Sequence, residues 1–210
     1  MEKLTFHDLE HYIESEIIPR YRNFDRGHNE DHVRTVIRQA LELSEYYDVD
    51  KNMIYAAAAF HDTGICEGRE LHHIVSGRII RADAQLPHWF SSGQIETIAQ
   101  AAEDHRASGK GEPRSIYGRI LAEADRDIKP MTIIRRTIQF GIDHYPKLGR
   151  EGHWQRTLEH INEKYAEGGY LKLWIPESPN RARLEELRGI IADTARLREI
   201  FDKIYDEETA

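Results

Sequence analysis

His61 and Asp62 end an apolar run, MIYAAAAFHD, and Thr63-Gly64 follows at once. Adjacent His and Asp offer a metal ion a borderline-soft nitrogen and a hard, charged oxygen from a single turn. The pair alone is common. Here it sits among His28, His32, His72, His73, His105 and Asp125, and seven of the 12 histidines fall between positions 28 and 105. Histidines concentrated in apolar helical segments with carboxylates beside them point first to a metal site.

The elements that must position these residues all read as helices. Leu9, Ile13, Ile17 and Ile18 recur at helical spacing, with Pro19 closing the run, and Val33, Val36, Ile37, Ala40 and Leu41 form a second stripe. Met53 to Asp62 is the third, and Ala56 to Ala59 allow close helix approach. Helices are then expected over 71–86, 94–105 and 116–127, over 131–145 behind Pro130, over 153–166 up to Gly168-Gly169, and over 183–205. The only extended candidate is 170–175. The expected fold is all-α, organised as an N-terminal helix over 1–25, a core over 26–130 and further C-terminal helices over 131–210 of the same domain.

His32 follows His28 by four residues, so both are expected on one helix face. Considered alone, His28 would be a helix-start residue meeting solvent and His32 a buried, hydrogen-bonded imidazole. The nearby His61-Asp62 changes that weighting. Asp62 at a helix C-terminus sits against the negative end of the helix dipole, a penalty that a bound cation removes. Residues 61 and 62 lie about 100° apart on a helix, so they can straddle an ion only where the helix ends, as Gly64 allows. Asp125 lies four residues after Leu121, on a core-facing stripe where a carboxylate needs a charged partner. Arg126, its neighbour, does not face it on a helix.

The segments DHVRTV (31–36), AAFHDTG (58–64) and LAEADRD (121–127), in that order, resemble the HD-domain superfamily of metal-dependent phosphohydrolases. The resemblance covers roughly 26–130. It implies an HD-domain helical bundle with additional C-terminal helices, and His32, His61, Asp62 and Asp125 as ligands of a first metal. Two-metal members add histidines between the HD pair and the last Asp. His72, followed four residues later by Ser76-Gly77, fits that pattern with His73 as its rival, and His105 in EDHRASG resembles the later capping histidine. The gap after His61-Asp62 is shorter than in many two-metal members, which leaves the count at one ion or two. Imidazole with carboxylate suits Mn, Fe, Co, Ni or Zn.

Two aspartates and two divalent cations would leave the centre net cationic and attractive to anions. Basic residues near the ligands are Arg69, Arg106, Lys110, Arg114 and Arg126, of which Arg69 and Arg106 are the expected phosphate clamps and glycine-flanked Lys110 a closing contact. The expected activity is hydrolysis of a phosphomonoester or phosphodiester of a nucleotide or other small metabolite. Asp62, His61 and His105 lie at its catalytic centre, and metal-activated water is the nucleophile. The alternatives are a noncatalytic nucleotide or metal sensor and, third, a di-iron oxygenase on the same ligand set.

Composition narrows the partners. Acidic residues outnumber basic ones 37 to 29, for a net charge of −8, which argues against nucleic-acid polymers and anionic membranes. Cys66 is the single cysteine, so no internal disulfide forms. The longest apolar run, 53–60, is far short of the ~20 residues that span a bilayer. The N-terminus carries acids through its apolar stretch, unlike a secretory signal, so the expected location is cytoplasmic. Trp154, Tyr165, Tyr170, Trp174 and Tyr205 read first as core packing and second as a pocket wall, and the last helix could equally serve a homodimer contact.

Overall fold

The computed structural model describes residues 5–25, 27–106 and 111–209. Among them are ten α-helices and no strand, which establishes the all-α class. Helices α1 (Phe6–Tyr12), α2 (Glu30–Ser44), α3 (Lys51–Phe60), α4 (His72–Ala82), α5 (Ser92–Asp104) and α6 (Ile116–Ala124) are followed by α7 (Pro130–His144), α8 (Arg150–Tyr165), α9 (Asn180–Ala192) and α10 (Thr194–Thr209). The chain divides into two compact units. One comprises 1–126 with 174–178, and the other 127–173 with 179–210.

In the first unit, α2, α3, α5 and α6 pack on one another and α4 lies along α5. The eight residues from Met53 to Phe60 are all buried, and the four consecutive alanines among them let neighbouring helices approach α3 on every side. Start signals are local. Asn29 accepts from the His32 amide (3.0 Å), Asp50 from Asn52 (2.9 Å), and Ser91 and Gln94 form a reciprocal capping box at α5.

Several boundaries differ from the sequence expectation, each for a visible reason. Pro19 does not close the first run, because α1 passes through a π turn (Ile13–Ile17) into a 3-10 turn (Ile18–Asn23) whose first turn holds the proline, where a missing N–H costs little. Helix α4 stops at Ala82 because the Asp83 carboxylate turns to accept from the Gln85 and Leu86 amides. Helix α6 ends at Ala124, leaving Asp125 as its cap. The expected long helix over 183–205 is two helices. Asp193 interrupts it by accepting from the Arg196 amide (3.0 Å), so the chain restarts as α10. Residues 170–175 form no regular element.

In the second unit, α7 packs on α8 and α10, and α9 lies against its three neighbours. Trp154 is buried there with its ring 5.3 Å from Phe201, which fits the packing role for that aromatic. Helix α8 ends at Tyr165, and Gly168 then takes a φ of 82°, a left-handed turn that favours glycine. No helix among the described residues is long and apolar enough to cross a membrane.

Candidate metal centre

Three of the sequence-predicted ligands sit at one kind of place: His61, His105 and Asp125 are the C-terminal caps of α3, α5 and α6. At such an end the last carbonyls lack intrahelical partners. His61 Nδ1 donates to the Ala58 carbonyl (2.7 Å) and His105 Nδ1 to the Ala102 carbonyl (2.6 Å). His72, in the first turn of α4, does the same to the Arg69 carbonyl (2.7 Å). A carbonyl can only accept, so each Nδ1 carries a proton, and the ring in its neutral form presents an unprotonated Nε2.

Those Nε2 atoms converge on Asp62, which is almost fully buried. One carboxylate oxygen, Oδ2, lies 3.2 Å from His61 Nε2 and 3.5 Å from His32 Nε2. The other, Oδ1, lies 3.2 Å from His72 Nε2 and 3.5 Å from His105 Nε2. Asp125 Oδ1 reaches the first pair, 3.3 Å from His32 Nε2 and 3.7 Å from His61 Nε2. Two ligand groups result, His32–His61–Asp62 and Asp62–His72–His105, each with donor atoms mutually within 4.8 Å. All six sequence-predicted ligand residues are brought together.

The donor set fits a cation. Asp62 Oδ1 is buried without a hydrogen-bond donor, facing two imidazole lone pairs. Acceptor against acceptor is unfavourable in a dry site unless a positive charge sits between them. Without metal a proton takes that place in the other group. Burial pushes the His32 imidazole down, but the Asp125 and Asp62 carboxylates outweigh it and lift its pKa to about 10. Asp125 and Asp62 are held well below the carboxylate range, against burial, by the surrounding histidines. His73 stands outside both groups. Its ring is 5.6 Å from that of His72, and burial first, then the neighbouring histidines, push its pKa down to about 4. The geometry selects His72 over its rival.

Near the cluster, Tyr21 escaped the sequence reading and His28 stands elsewhere than expected. Tyr21, fully buried, donates its hydroxyl to the Ala59 carbonyl (2.9 Å) and accepts from the Asp62 amide (3.2 Å), stitching Asp62 to the end of α3. His28 precedes the Asn29 cap, so it is not on a helix face with His32 as expected. It nonetheless points inward, with Nε2 4.0 Å from Asp62 Oδ2 and Nδ1 2.9 Å from Asp25 Oδ1. The local signal for His28 was the Asp25-x-x-His28 spacing ahead of a strong N-cap.

Of the expected phosphate clamps, Arg69 lies over His28, its Nη2 3.4 Å from both ring nitrogens, with Nε 3.6 Å from Asp25 Oδ2. Arg106 donates from Nη1 to the Glu70 carbonyl (2.5 Å). Arg114 is engaged by Asp104, Glu103 and the Gln100 carbonyl, and Arg126 is buried beside Glu123. Lys110 lies outside the described residues.

The family model for the HD domain matches residues 29–128, the stretch that carries all six candidate ligands in the order His32, His61-Asp62, His72, His105, Asp125. Over residues 29–128 the chain matches the HD domain. HD domains bind divalent metals and are generally phosphohydrolases, in keeping with the His/Asp cluster. Comparison with curated proteins and with solved structures gives no match.

Proposed function

We propose that this HD domain is a metal-dependent phosphohydrolase acting on a phosphomonoester or phosphodiester of a nucleotide or other small metabolite. The observation that carries the reading is the shared carboxylate: Asp62 offers one oxygen to each of two imidazole pairs. A bridging carboxylate between two nitrogen-rich positions suits a pair of divalent ions. When bound, such ions supply the Lewis acidity that makes water nucleophilic near neutral pH and offset charge on a phosphoryl group.

The chain's own residues do the rest. His32, His61, Asp62 and Asp125 would hold one ion, and Asp62, His72 and His105 the other. The three Nδ1–H bonds, two to helix-end carbonyls and one to the Arg69 carbonyl ahead of α4, fix ring orientation. Asp25 holds His28 with Nε2 toward the cluster, where it can contact a phosphoryl or leaving-group oxygen. Arg69, ahead of α4, and Arg106, bonded to the neighbouring Glu70 carbonyl, would orient the substrate phosphate, with Lys110 as a closing contact.

Phosphate release from a nucleotide and phosphoester panel, with Mn, Fe, Co, Ni or Zn added, tests the reading. Turnover should appear with at least one metal, and Arg69→Ala and Arg106→Ala should raise KM about tenfold or more while leaving metal content unchanged. No turnover by fully metallated protein would favour the sensor, and iron-dependent oxygen uptake would favour the oxygenase. Full activity in both arginine variants would discard this placement of the phosphate.

A further inference from the structure

The first unit is not contiguous in sequence. The chain leaves it after Arg126, returns for Trp174–Ser178 and leaves again. The return segment, Trp174-Ile175-Pro176-Glu177-Ser178, contains Pro176 and is followed at once by Pro179, and each proline fixes φ and limits the conformations available there. Ile175 is buried in the same apolar cluster as α3 and α6. Tyr47 donates its hydroxyl to Glu177 Oε2 (2.7 Å), pinning the far end of the segment.

The inner end meets the last turn of α6. The Trp174 amide donates to Glu123 Oε2 (2.9 Å), and Glu123 has no exposed surface. Arg126 Nη1 lies 3.8 Å from the same oxygen. Asp125 stands between these two buried partners, with its amide bonded to the Leu121 carbonyl (3.0 Å). A carboxylate at a helix end, where the backbone frays, is thus bracketed by a buried charged pair and by a segment from fifty residues downstream.

We infer that Trp174–Ser178 is a positioning strap for the metal centre, acting through Glu123 to hold the α6 end that presents Asp125. The strap lies outside the stretch matched by the family model. The inference rests on the metal-centre reading above. Neither Glu123 nor the strap belongs to the ligand groups that would hold an ion. Their effect is on where Asp125 stands.

The test is metal affinity, read by competition with a chelator and by Co(II) absorption, without any substrate. Glu123→Ala should weaken binding of the first ion about tenfold, the scale of lost outer support for a ligand. Glu123→Gln keeps an oxygen that accepts from Trp174 and should stay within about twofold of wild type on the same scale. Leu9→Ala, a buried cavity variant in α1, controls for general destabilisation and should leave affinity unchanged. Should Glu123→Ala not fold, Tyr47→Phe, which frees only the outer end of the strap, should shift affinity about threefold the same way.

Wild-type affinity in Glu123→Ala or in Tyr47→Phe overturns the strap. So does an equal loss in Leu9→Ala, or a loss in Glu123→Gln matching that in Glu123→Ala, which would assign the effect to charge. A wild-type protein that retains no ion removes the metal-centre reading itself, an outcome distinct from unchanged variants.

Discussion

Gly64→Ala should separate the two halves of the metal centre. A Cβ at Gly64 would stand 2.1 Å from the His72 carbonyl oxygen, 2.6 Å from the Ser76 amide nitrogen and 2.8 Å from Val75 Cβ. Two of these are backbone atoms of α4, so no side-chain rotation relieves the clash. Ordinary contact requires the turn and the helix to part by about 1 Å or more. Tyr21 ties Asp62 to the α3 side, so the movement falls between Asp62 and His72, now 3.2 Å apart. Metal–ligand distances tolerate only about 0.2 Å. Overpacking of this kind costs about 1–3 kcal/mol. The buried bond from the Gly64 amide to Ser76 Oγ (2.9 Å) adds about 1 kcal/mol when stretched. Together that is about 2–4 kcal/mol, or roughly 30- to 1000-fold in an equilibrium constant if it all falls on the second ion. Calorimetric titration of the metal-free protein with Zn or Co is the assay. The ion held by His32, His61, Asp62 and Asp125 should bind nearly as in wild type, and the ion held by Asp62, His72 and His105 should weaken at least tenfold. Retention of both affinities, or loss of the first ion with the second kept, would refute the reasoning.

Further outcomes follow from the same geometry. His72→Ala should reduce the stoichiometry from two ions to one, while His73→Ala should leave it at two, as counted by elemental analysis after metal loading. Loading the first ion at neutral pH should release about one proton, because the metal-free His32 imidazole, raised to about 10, must give up its proton; calorimetry in buffers of different ionisation enthalpy measures it. Metal affinity should therefore rise with pH up to about 10. Stability of the metal-free protein should move the other way. His32 contributes fully below its ordinary 6.5 and loses that contribution as pH rises toward 10. Asp62 and Asp125 contribute above their ordinary 3.8 and lose it on acidification, so denaturation melts should peak between about 4 and 6.5.

The ligand residues were legible because their chemistry is unusual where they stand. A carboxylate at the end of helix MIYAAAAF violates the preference of a helix C-terminus, a violation readable without tertiary information, whereas His105 was legible only through the resemblance of EDHRASG. Tyr21 was not legible, since an aromatic at a core position looks the same whether or not its hydroxyl reaches a helix end 38 residues away. His28 was misplaced because four-residue spacing suggests a shared helix face, while Asn29 is the stronger local signal and starts the helix after it. The break at Asp193 carried a cue of the same kind, a carboxylate with a free amide three residues on. The return of Trp174–Ser178 carried only Pro176 and the flanking Pro179 as a cue, because a nonlocal contact leaves no periodic trace.

The placement of His61, His105 and Asp125 as helix caps has a consequence for how the HD domain is fastened. Ordinarily each helix stops on its own glycine or side chain, and the ends of α3, α5 and α6 would be independent points of fraying. Here one pair of ions would close all three, so that a single event of loading seals segments far apart in the chain. Amide exchange at the last turns of these helices should then slow in concert when metal is added, and the ion would behave as a rivet through the bundle as much as a reagent within it.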